Sequence, residues 1–231
     1  MNRIRTWGPR PFQWVMIGCG QFVMLTLLAM LVYPGGTKFA PQASGYSFFQ
    51  NFFSELGFTV TRGGYPNPVA APLFFVALVL AGLGLVLFFV TIPQFFWDTR
   101  EQQILSILGS AAGVVSGLAY VGIAFTPGNL LPKPHLQFVL LAFRAFLPAV
   151  VLYLVAILST PAYPNGYAGI YVVFAILLAA YIGLITRGPD IDTAQGVLIQ
   201  ATGQKIIVYA AILTILVQSW GAIRLRTQID R

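Results

Sequence analysis

Residues 69–92 read VAAPLFFVALVLAGLGLVLFFVTI and contain no charged side chain. A membrane-spanning α-helix needs about 20 consecutive apolar residues, so this stretch is long enough to cross a bilayer as one helix. Proline follows it at position 93, and proline or glycine ends most of the other apolar stretches in the same way. The sequence therefore predicts an all-α polytopic membrane protein, a six-helix bundle with spans at about 12–33, 69–92, 103–125, 136–158, 167–186 and 197–223.

The composition agrees with lipid, not water, as the main solvent. Hydrophobic residues make up 58% of the 231 residues and charged residues only 8%, against about 25% charged in a soluble domain. Six spans and their loops use the whole length, so residues 1–231 are predicted to form a single integral membrane domain. The first span follows a basic segment but is longer than the core of a signal peptide, and we predict that it is retained.

The positive charge is concentrated at the two ends of the chain. A net charge of +7 can indicate nucleic-acid binding, but here the basic residues flank the first and last spans: Arg3, Arg5, Arg10, Arg224, Arg226 and Arg231. Outside the spans, seven Lys and Arg residues lie on the side of the termini and four on the other side. Because cytoplasmic loops are enriched in these residues, we predict a cell-membrane protein with cytoplasmic termini and no nucleic-acid partner.

The loop after the first span, residues 34–68, is the longest. Within it, residues 47–57 read SFFQNFFSELG, which predicts a short amphipathic helix. Ser47 and Gln50 have the spacing of a capping box, and Gly57 fits a helix end. Phenylalanine and leucine fill one arc of its helical wheel, and the polar residues, Glu55 among them, fill the other. We expect this helix to lie at the outer membrane interface or against the mouth of the bundle.

The third span carries small residues at four-residue intervals, at Gly109, Gly113 and Gly117. Small residues at this spacing let membrane helices approach closely. Two interpretations are open, a dimer interface and packing within the chain. We favour packing within the chain, because the helix has five others to pack against.

Arg144 lies well inside the fourth span, nine residues after His135, or about 13 Å along a helix. A buried arginine in a membrane costs about 2.5 kcal/mol or more unless it is paired or reaches the interface. We therefore predict that Arg144 faces the bundle interior or an aqueous pocket, with Glu55 or a lipid or substrate phosphate as its partner. The alternative is a structural role, in an ion pair or extended to the interface.

Two further ionisable residues lie near the outer ends of predicted spans. Lys205, preceded by Gln204, lies about one third of the way into the sixth span, where a lysine can extend to the interface. His135 opens the fourth span; it either lines a site or bonds the first loop. One histidine, with Cys19 as the only cysteine, does not make a metal site, so we predict no metal and no cofactor.

These residues converge on the outer half of the bundle and predict a net-positive pocket suited to an anionic headgroup. Its predicted ligand-binding residues are Glu55, His135, Arg144, Gln204 and Lys205. The favoured function is lipid binding or service as an accessory subunit of a membrane complex, with membrane lipids or other subunits as partners. The alternatives are a lipid-modifying hydrolase using Ser54, Glu55 and His135 and a small-anion transporter, so enzymatic activity stays open.

Several short motifs are similar to those of a known family. Residues 51–57, NFFSELG, resemble the N-x-x-S-x-L-G element in loop one of the domain-of-unknown-function 998 family, six-helix prokaryotic membrane proteins similar to the Frag1/DRAM/Sfk1-like group. Asn67-Pro68, residues 122–127 and residues 203–205 also fit. The resemblance implies a six-helix bundle, lipid handling only by analogy, and family-like positions for Ser54, Gly57, His135, Gln204 and Lys205.

Overall fold

The computed structural model describes residues 7–229, and within them the chain forms six long helices. Their bounds are α1 Arg10–Leu31, α2 Ala70–Thr91, α3 Arg100–Ala124, α4 Pro132–Leu158, α5 Gly166–Arg187 and α6 Ala194–Ile229. Each is long and apolar enough to cross a membrane, which confirms the predicted all-α polytopic membrane fold. Arg3, Arg5 and Arg231, used above to predict the orientation, lie outside the described residues.

Some helices continue past the apolar stretches that predict them. α4 begins at Pro132, four residues before the predicted start, because the first turn of a helix needs no N–H from proline. α3 begins at Arg100, after a capping box in which the side chains of Thr99 and Gln102 accept from each other's backbone N–H. α6 runs to Ile229, six residues past the predicted end, since no proline or glycine interrupts its polar last turns.

The helices form a closed ring in chain order. Each packs against its neighbours in sequence, and α1 closes the ring against α6. α3 lies very close to α2: a Cβ added at Gly117 would come within 2.8 Å of the carbonyl oxygen of Gly82, and one at Gly113 within 2.2 Å of the Phe89 ring. Gly109 packs in the same way against α4. The glycine stripe therefore serves packing within the chain, which confirms the favoured interpretation.

Three loops, α1–α2, α3–α4 and α5–α6, meet at one end of the bundle. We call this end the distal face, because α1 begins and α6 ends at the other. Lys38 of the first loop forms an ion pair with Asp192 of the last. Asn129 of the α3–α4 loop donates from Nδ2 to Thr59 Oγ1 at 2.8 Å. The first loop is thus tied to both of the others.

The predicted amphipathic helix over residues 47–57 is shorter in the structure. Ser47–Asn51 form turns, and Phe53–Gly57 form a 3₁₀ helix. Asn51 Oδ1 accepts from the Ser47 N–H at 2.9 Å, and such local side-chain bonds compete with helix formation. This bond replaces the capping box expected between Ser47 and Gln50.

Residues 46–57 enter the mouth of the bundle, and we call them the plug. Phe53 stacks on Phe22 of α1 with 5.8 Å between ring centroids, and Phe22 lies about 13 Å before the end of α1. Only part of the predicted polar arc faces water: Gln50 is exposed, but Glu55 is 2% exposed, whereas the apolar Phe48 and Phe49 are 40% and 55% exposed. Of the two predicted locations, the structure therefore has the one against the bundle mouth.

Candidate functional site

A network of hydrogen bonds centred on Asn51 holds the plug in place. Asn51 Nδ2 donates to Glu55 Oε2 at 2.6 Å and to the Gly36 carbonyl at 2.9 Å. The Asn51 carbonyl accepts from Lys205 Nζ at 2.5 Å. Asn51 is fully buried, and both polar atoms of its side chain are paired, as burial requires. Asn51 therefore connects two parts of the first loop, at Gly36 and Glu55, and links that loop to Lys205 of α6.

Glu55 is paired with Arg62, and not with Arg144 as predicted. Arg62 Nε donates to Glu55 Oε1 at 2.9 Å, and the Arg62 side chain is 40% exposed. The other carboxylate oxygen accepts from Asn51. Both oxygens are thus engaged within the first loop, and neither bonds His135.

Two side chains of α6 bind the plug. Lys205, 1% exposed, donates to the carbonyls of Asn51 and Ala201, and its ammonium lies 5.2 Å from the ring centre of Phe48. Gln204 Oε1 accepts from the Phe53 N–H at 2.7 Å. Lys205 therefore does not extend to the interface; carbonyl oxygens and an aromatic face stabilise its charge where it is buried.

Tyr46 closes the network at the start of the plug. Its hydroxyl is shared between the carbonyls of Asn51 and Phe52, at 3.2 and 3.1 Å. Burial, and to a lesser extent the negative charge of Glu55, raises the pKa of Tyr46 above its ordinary value of 10. The phenol therefore stays protonated near neutral pH and continues to donate.

Arg144 lies on the outside of the bundle, so the prediction that it faces the interior is wrong. Its side chain is exposed and makes no hydrogen bond or ion pair with any residue between 7 and 229. The inward face of α4 is formed by Val139, Phe143 and Phe146, which recur every three or four residues. Arg144 follows one of them directly, and a helix turns by about 100° per residue, which places it on the outward side.

Ser54 and His135 line the same pocket at the distal face, which has a volume of about 480 Å³. His135 Nδ1 lies 2.6 Å from the Thr126 carbonyl. Because a carbonyl only accepts, Nδ1 carries the proton and Nε2 is left as an acceptor. The bond joins His135 to the α3–α4 loop, so of the two alternatives the structure has His135 lining a pocket and not bonding the first loop. We call this space the outer pocket.

Asn67 also lines the outer pocket and is 3% exposed. Its Nδ2 donates to the carbonyls of Leu56 and Phe58 at 3.0 and 2.9 Å, but its Oδ1 has no partner. The Ser54 hydroxyl likewise bonds no residue that the structure describes. A buried acceptor without a partner costs about 1–3 kcal/mol, so a hydrogen-bond donor in this pocket would be stabilised. From the sequence, Asn67-Pro68 was only a match to a family motif and Asn67 was not placed in a site, although that motif was the signal that could have found it.

Below the plug, the centre of the bundle contains an apolar cavity of about 110 Å³. It is lined by residues of α1, α2, α3, α4 and α6, including Cys19 and Tyr120. Ser54, Phe74 and Ile123 line both this central cavity and the outer pocket. An engineered apolar cavity of about 150 Å³ stays dry and binds small apolar molecules, so the central cavity suits an apolar group better than water.

The predicted site residues thus fall into three places. Glu55, Gln204 and Lys205 meet in the plug network, Ser54 and His135 meet in the outer pocket, and Arg144 stands apart. Among the described residues, no group of three or more His, Cys, Asp or Glu side chains could hold a metal ion.

No protein-family model, no curated protein and no solved structure matches the chain. The similarity to the domain-of-unknown-function 998 family therefore stays a prediction that rests on the short motifs. The longest of these, residues 51–57, is the part of the plug that carries Asn51, Ser54 and Glu55.

Proposed function

We propose that the protein binds an amphipathic lipid, with a short apolar segment of it in the central cavity and its polar part in the outer pocket. The observation that supports this most directly is that Ser54, Phe74 and Ile123 line both spaces. An apolar space inside the bundle adjoins a space with unpaired polar groups at the distal face. An apolar space next to a polar one matches a molecule with one apolar and one polar end.

The polar end is proposed to carry hydrogen-bond donors, such as hydroxyl or ammonium groups. Among the described residues, Asn67 Oδ1 and His135 Nε2 are acceptors that no donor reaches, and the Ser54 hydroxyl can act either way. The residues that line the outer pocket include no Lys or Arg. A phosphate, the anionic group predicted from the sequence, therefore has less support here than a donor-rich headgroup.

The distal face is proposed to lie outside the cell and the termini in the cytoplasm. The support is the excess of Lys and Arg on the side of the termini, seven against four. The outer pocket would then take its ligand from the outer leaflet.

The hydrolase and transporter alternatives have less support. Ser54 and His135 share a pocket, but Glu55 bonds Asn51 and Arg62 and does not orient the histidine. A transporter using Arg144 needs that residue inside the bundle, and it lies outside. Both alternatives stay predictions from the sequence.

Filling the central cavity tests the proposal. Gly84 of α2 lines the cavity, and a Cβ built there meets no atom within 4 Å. Gly183 of α5 is equally open but is not among the residues that line the cavity. Native mass spectrometry of detergent-purified protein should find lipid bound to the wild type and to Gly183→Leu, and about tenfold less bound to Gly84→Leu. Equal lipid occupancy in the two variants would contradict the proposal.

The headgroup is tested by adding lipids of one acyl composition to delipidated protein. Phosphatidylethanolamine and phosphatidylglycerol carry ammonium or hydroxyl donors, and phosphatidylcholine carries none. We expect the first two to outcompete phosphatidylcholine in the wild type and to lose that advantage in His135→Phe. Preference for phosphatidylcholine, or for phosphatidic acid over both donor-rich lipids, would show that the headgroup assignment is wrong.

A further inference from the structure

Arg144 lies near the middle of the membrane-facing surface of α4. The helix has 27 residues, about 40 Å at 1.5 Å per residue, and the hydrocarbon core of a bilayer is about 30 Å thick. Arg144 is about 18 Å from the first residue of the helix and about 21 Å from the last. A helix centred in the bilayer therefore carries this cation close to the mid-plane.

The exposed positions of α4 form a single stripe. They follow one another at spacings of three and four residues, the pattern of a helix face that contacts another helix. Past the first five residues of the helix they are, from the distal end, Gln137, Leu141, Arg144, Pro148, Val151, Val155 and Leu158. The exposed Lys133 continues the stripe at the distal end of the helix, about 16 Å from Arg144. Between Gln137 and Leu158, Arg144 is the one charged member of a largely apolar face.

Pro148 leaves a second polar group, the Arg144 carbonyl, without its usual hydrogen-bond donor at a similar depth in the membrane. In an α-helix the N–H of residue 148 would bond the carbonyl of residue 144, and proline has no N–H. The Arg144 carbonyl therefore lacks its usual backbone donor. A cation and a carbonyl without that donor both lie on a surface that would otherwise contact only lipid tails, which is unfavourable for each.

Between residues 7 and 229, no acidic side chain lies at this depth. Between residues 7 and 229 the acidic residues lie in loops, in the plug or in the first turn of α3: Glu55, Asp98, Glu101, Asp190 and Asp192. A second copy in the same orientation carries the same carboxylates at the same heights, so it cannot neutralise Arg144 either. A lipid phosphate lies beyond the hydrocarbon boundary, about 15 Å from the mid-plane, and reaching it requires local thinning of the bilayer.

We propose that this face of α4 binds a transmembrane helix of a different protein, one that carries a carboxylate near the middle of the bilayer. The guanidinium pairs with that carboxylate in two parallel hydrogen bonds, the preferred geometry of arginine and carboxylate. The neighbouring valines and leucines pack against the partner's apolar side chains. The interface is independent of the lipid site, because Val139, Phe143 and Phe146 line the cavity from the opposite face of α4.

The test uses a designed helix of polyleucine with one glutamate at its centre, and a matched helix with glutamine there. Donor-labelled protein and acceptor-labelled helix are combined in phosphatidylcholine vesicles at pH 8, and association is measured by energy transfer. We expect the glutamate helix to bind the wild type about tenfold more tightly than the glutamine helix does, within the range of polar contacts between membrane helices. Arg144→Leu should abolish the difference, and Arg187→Leu, which removes an exposed arginine at the end of α5, should preserve it.

The second arm of the experiment exchanges the charges of Arg144 and of the designed helix. Arg144→Glu should bind a polyleucine helix with a central arginine and lose the glutamate helix. Equal binding of glutamate and glutamine helices, or binding unchanged by Arg144→Leu, would overturn the proposal and leave Arg144 extended toward lipid phosphate. Energy transfer between two labelled populations of the protein itself, lost in Arg144→Leu, would also overturn it, because the occupant would then be a second copy.

Discussion

Two of the ion pairs in the described residues involve the first loop, and they differ mainly in burial. Glu55 is 2% exposed and shares its charge with Arg62 and Asn51. Asp192 is 77% exposed and pairs with Lys38 across the distal face. Exposed pairs contribute little, because water and salt screen them, whereas a buried pair that loses one charge leaves the other poorly compensated.

Neutralising the two acids should therefore have unequal effects. We expect Glu55→Gln to lower the free energy of unfolding by about 1–3 kcal/mol, the range for a lost hydrogen bond to a charged group. Asp192→Asn should change it by about 0.5 kcal/mol or less. Unfolding in mixed micelles by titration with sodium dodecyl sulfate measures both. Similar losses in the two variants would mean that Glu55 is not the anchor that its burial indicates.

The sequence was a better guide to which ionisable residues lie in the site than to the partners that they bond. Glu55 and Lys205 were both placed in the site, and both are buried there. Arg144 was placed inside because a charge that faces lipid is costly, and a membrane helix that is apolar all round gives no periodic signal of which face is inward. Arg62, the true partner of Glu55, is seven residues away in the same loop, and only the folded loop brings the two together.

At the level of the helices, glycines let α2 and α3 approach closely. A methyl group at Gly113 would lie 2.2 Å from the Phe89 ring, and the ring is fully buried and cannot move aside freely. We expect Gly113→Ala to lower the free energy of unfolding by about 1–3 kcal/mol, as overpacked cores do. Gly183→Ala on α5, where nothing lies within 4 Å, should be neutral or stabilising by up to about 1 kcal/mol. Equal stability of both variants would show that α3 can shift to accept a methyl group.

The helices themselves could be predicted because their lengths follow from the thickness of a bilayer. The plug could not, because its conformation depends on distant groups. Asn51 bonds Lys205, and the Phe53 N–H bonds Gln204, both from α6. A helical wheel of residues 47–57 contains none of these partners, so local periodicity gave an amphipathic helix where tertiary contacts favour turns and one short 3₁₀ helix.

On the scale of the whole molecule, the plug separates the central cavity from water. Gln204→Leu leaves the Phe53 N–H without its acceptor, at a cost of about 1–3 kcal/mol, and should let the plug open more often. Cys19, the only cysteine, lines the cavity and reports on this opening through its reaction with a water-soluble maleimide. We expect the reaction to be about tenfold faster in Gln204→Leu than in the wild type, since 1.4 kcal/mol corresponds to a factor of ten.

The matched control for that experiment is Gln200→Leu, one turn earlier in α6. Gln200 is partly exposed, and among the described residues its side chain bonds the Pro189 carbonyl of the last loop and no group of the plug, so its loss should leave the maleimide reaction unchanged. A faster reaction in both variants would mean that the thiol is reached through a gap between helices, and not past the plug.

The hydrogen bond from the Phe53 N–H to Gln204 joins positions 151 residues apart. Ribosomes add about 5–20 residues per second, so the early loop waits roughly 8–30 s for its acceptor to be synthesised. During that interval the chain has already inserted its first spans, while Lys205 and Gln204 do not yet exist. The central cavity, which Gln204 helps to line, is therefore among the last parts of the molecule to be completed, and a nascent chain arrested before α6 lacks the helix that closes the ring.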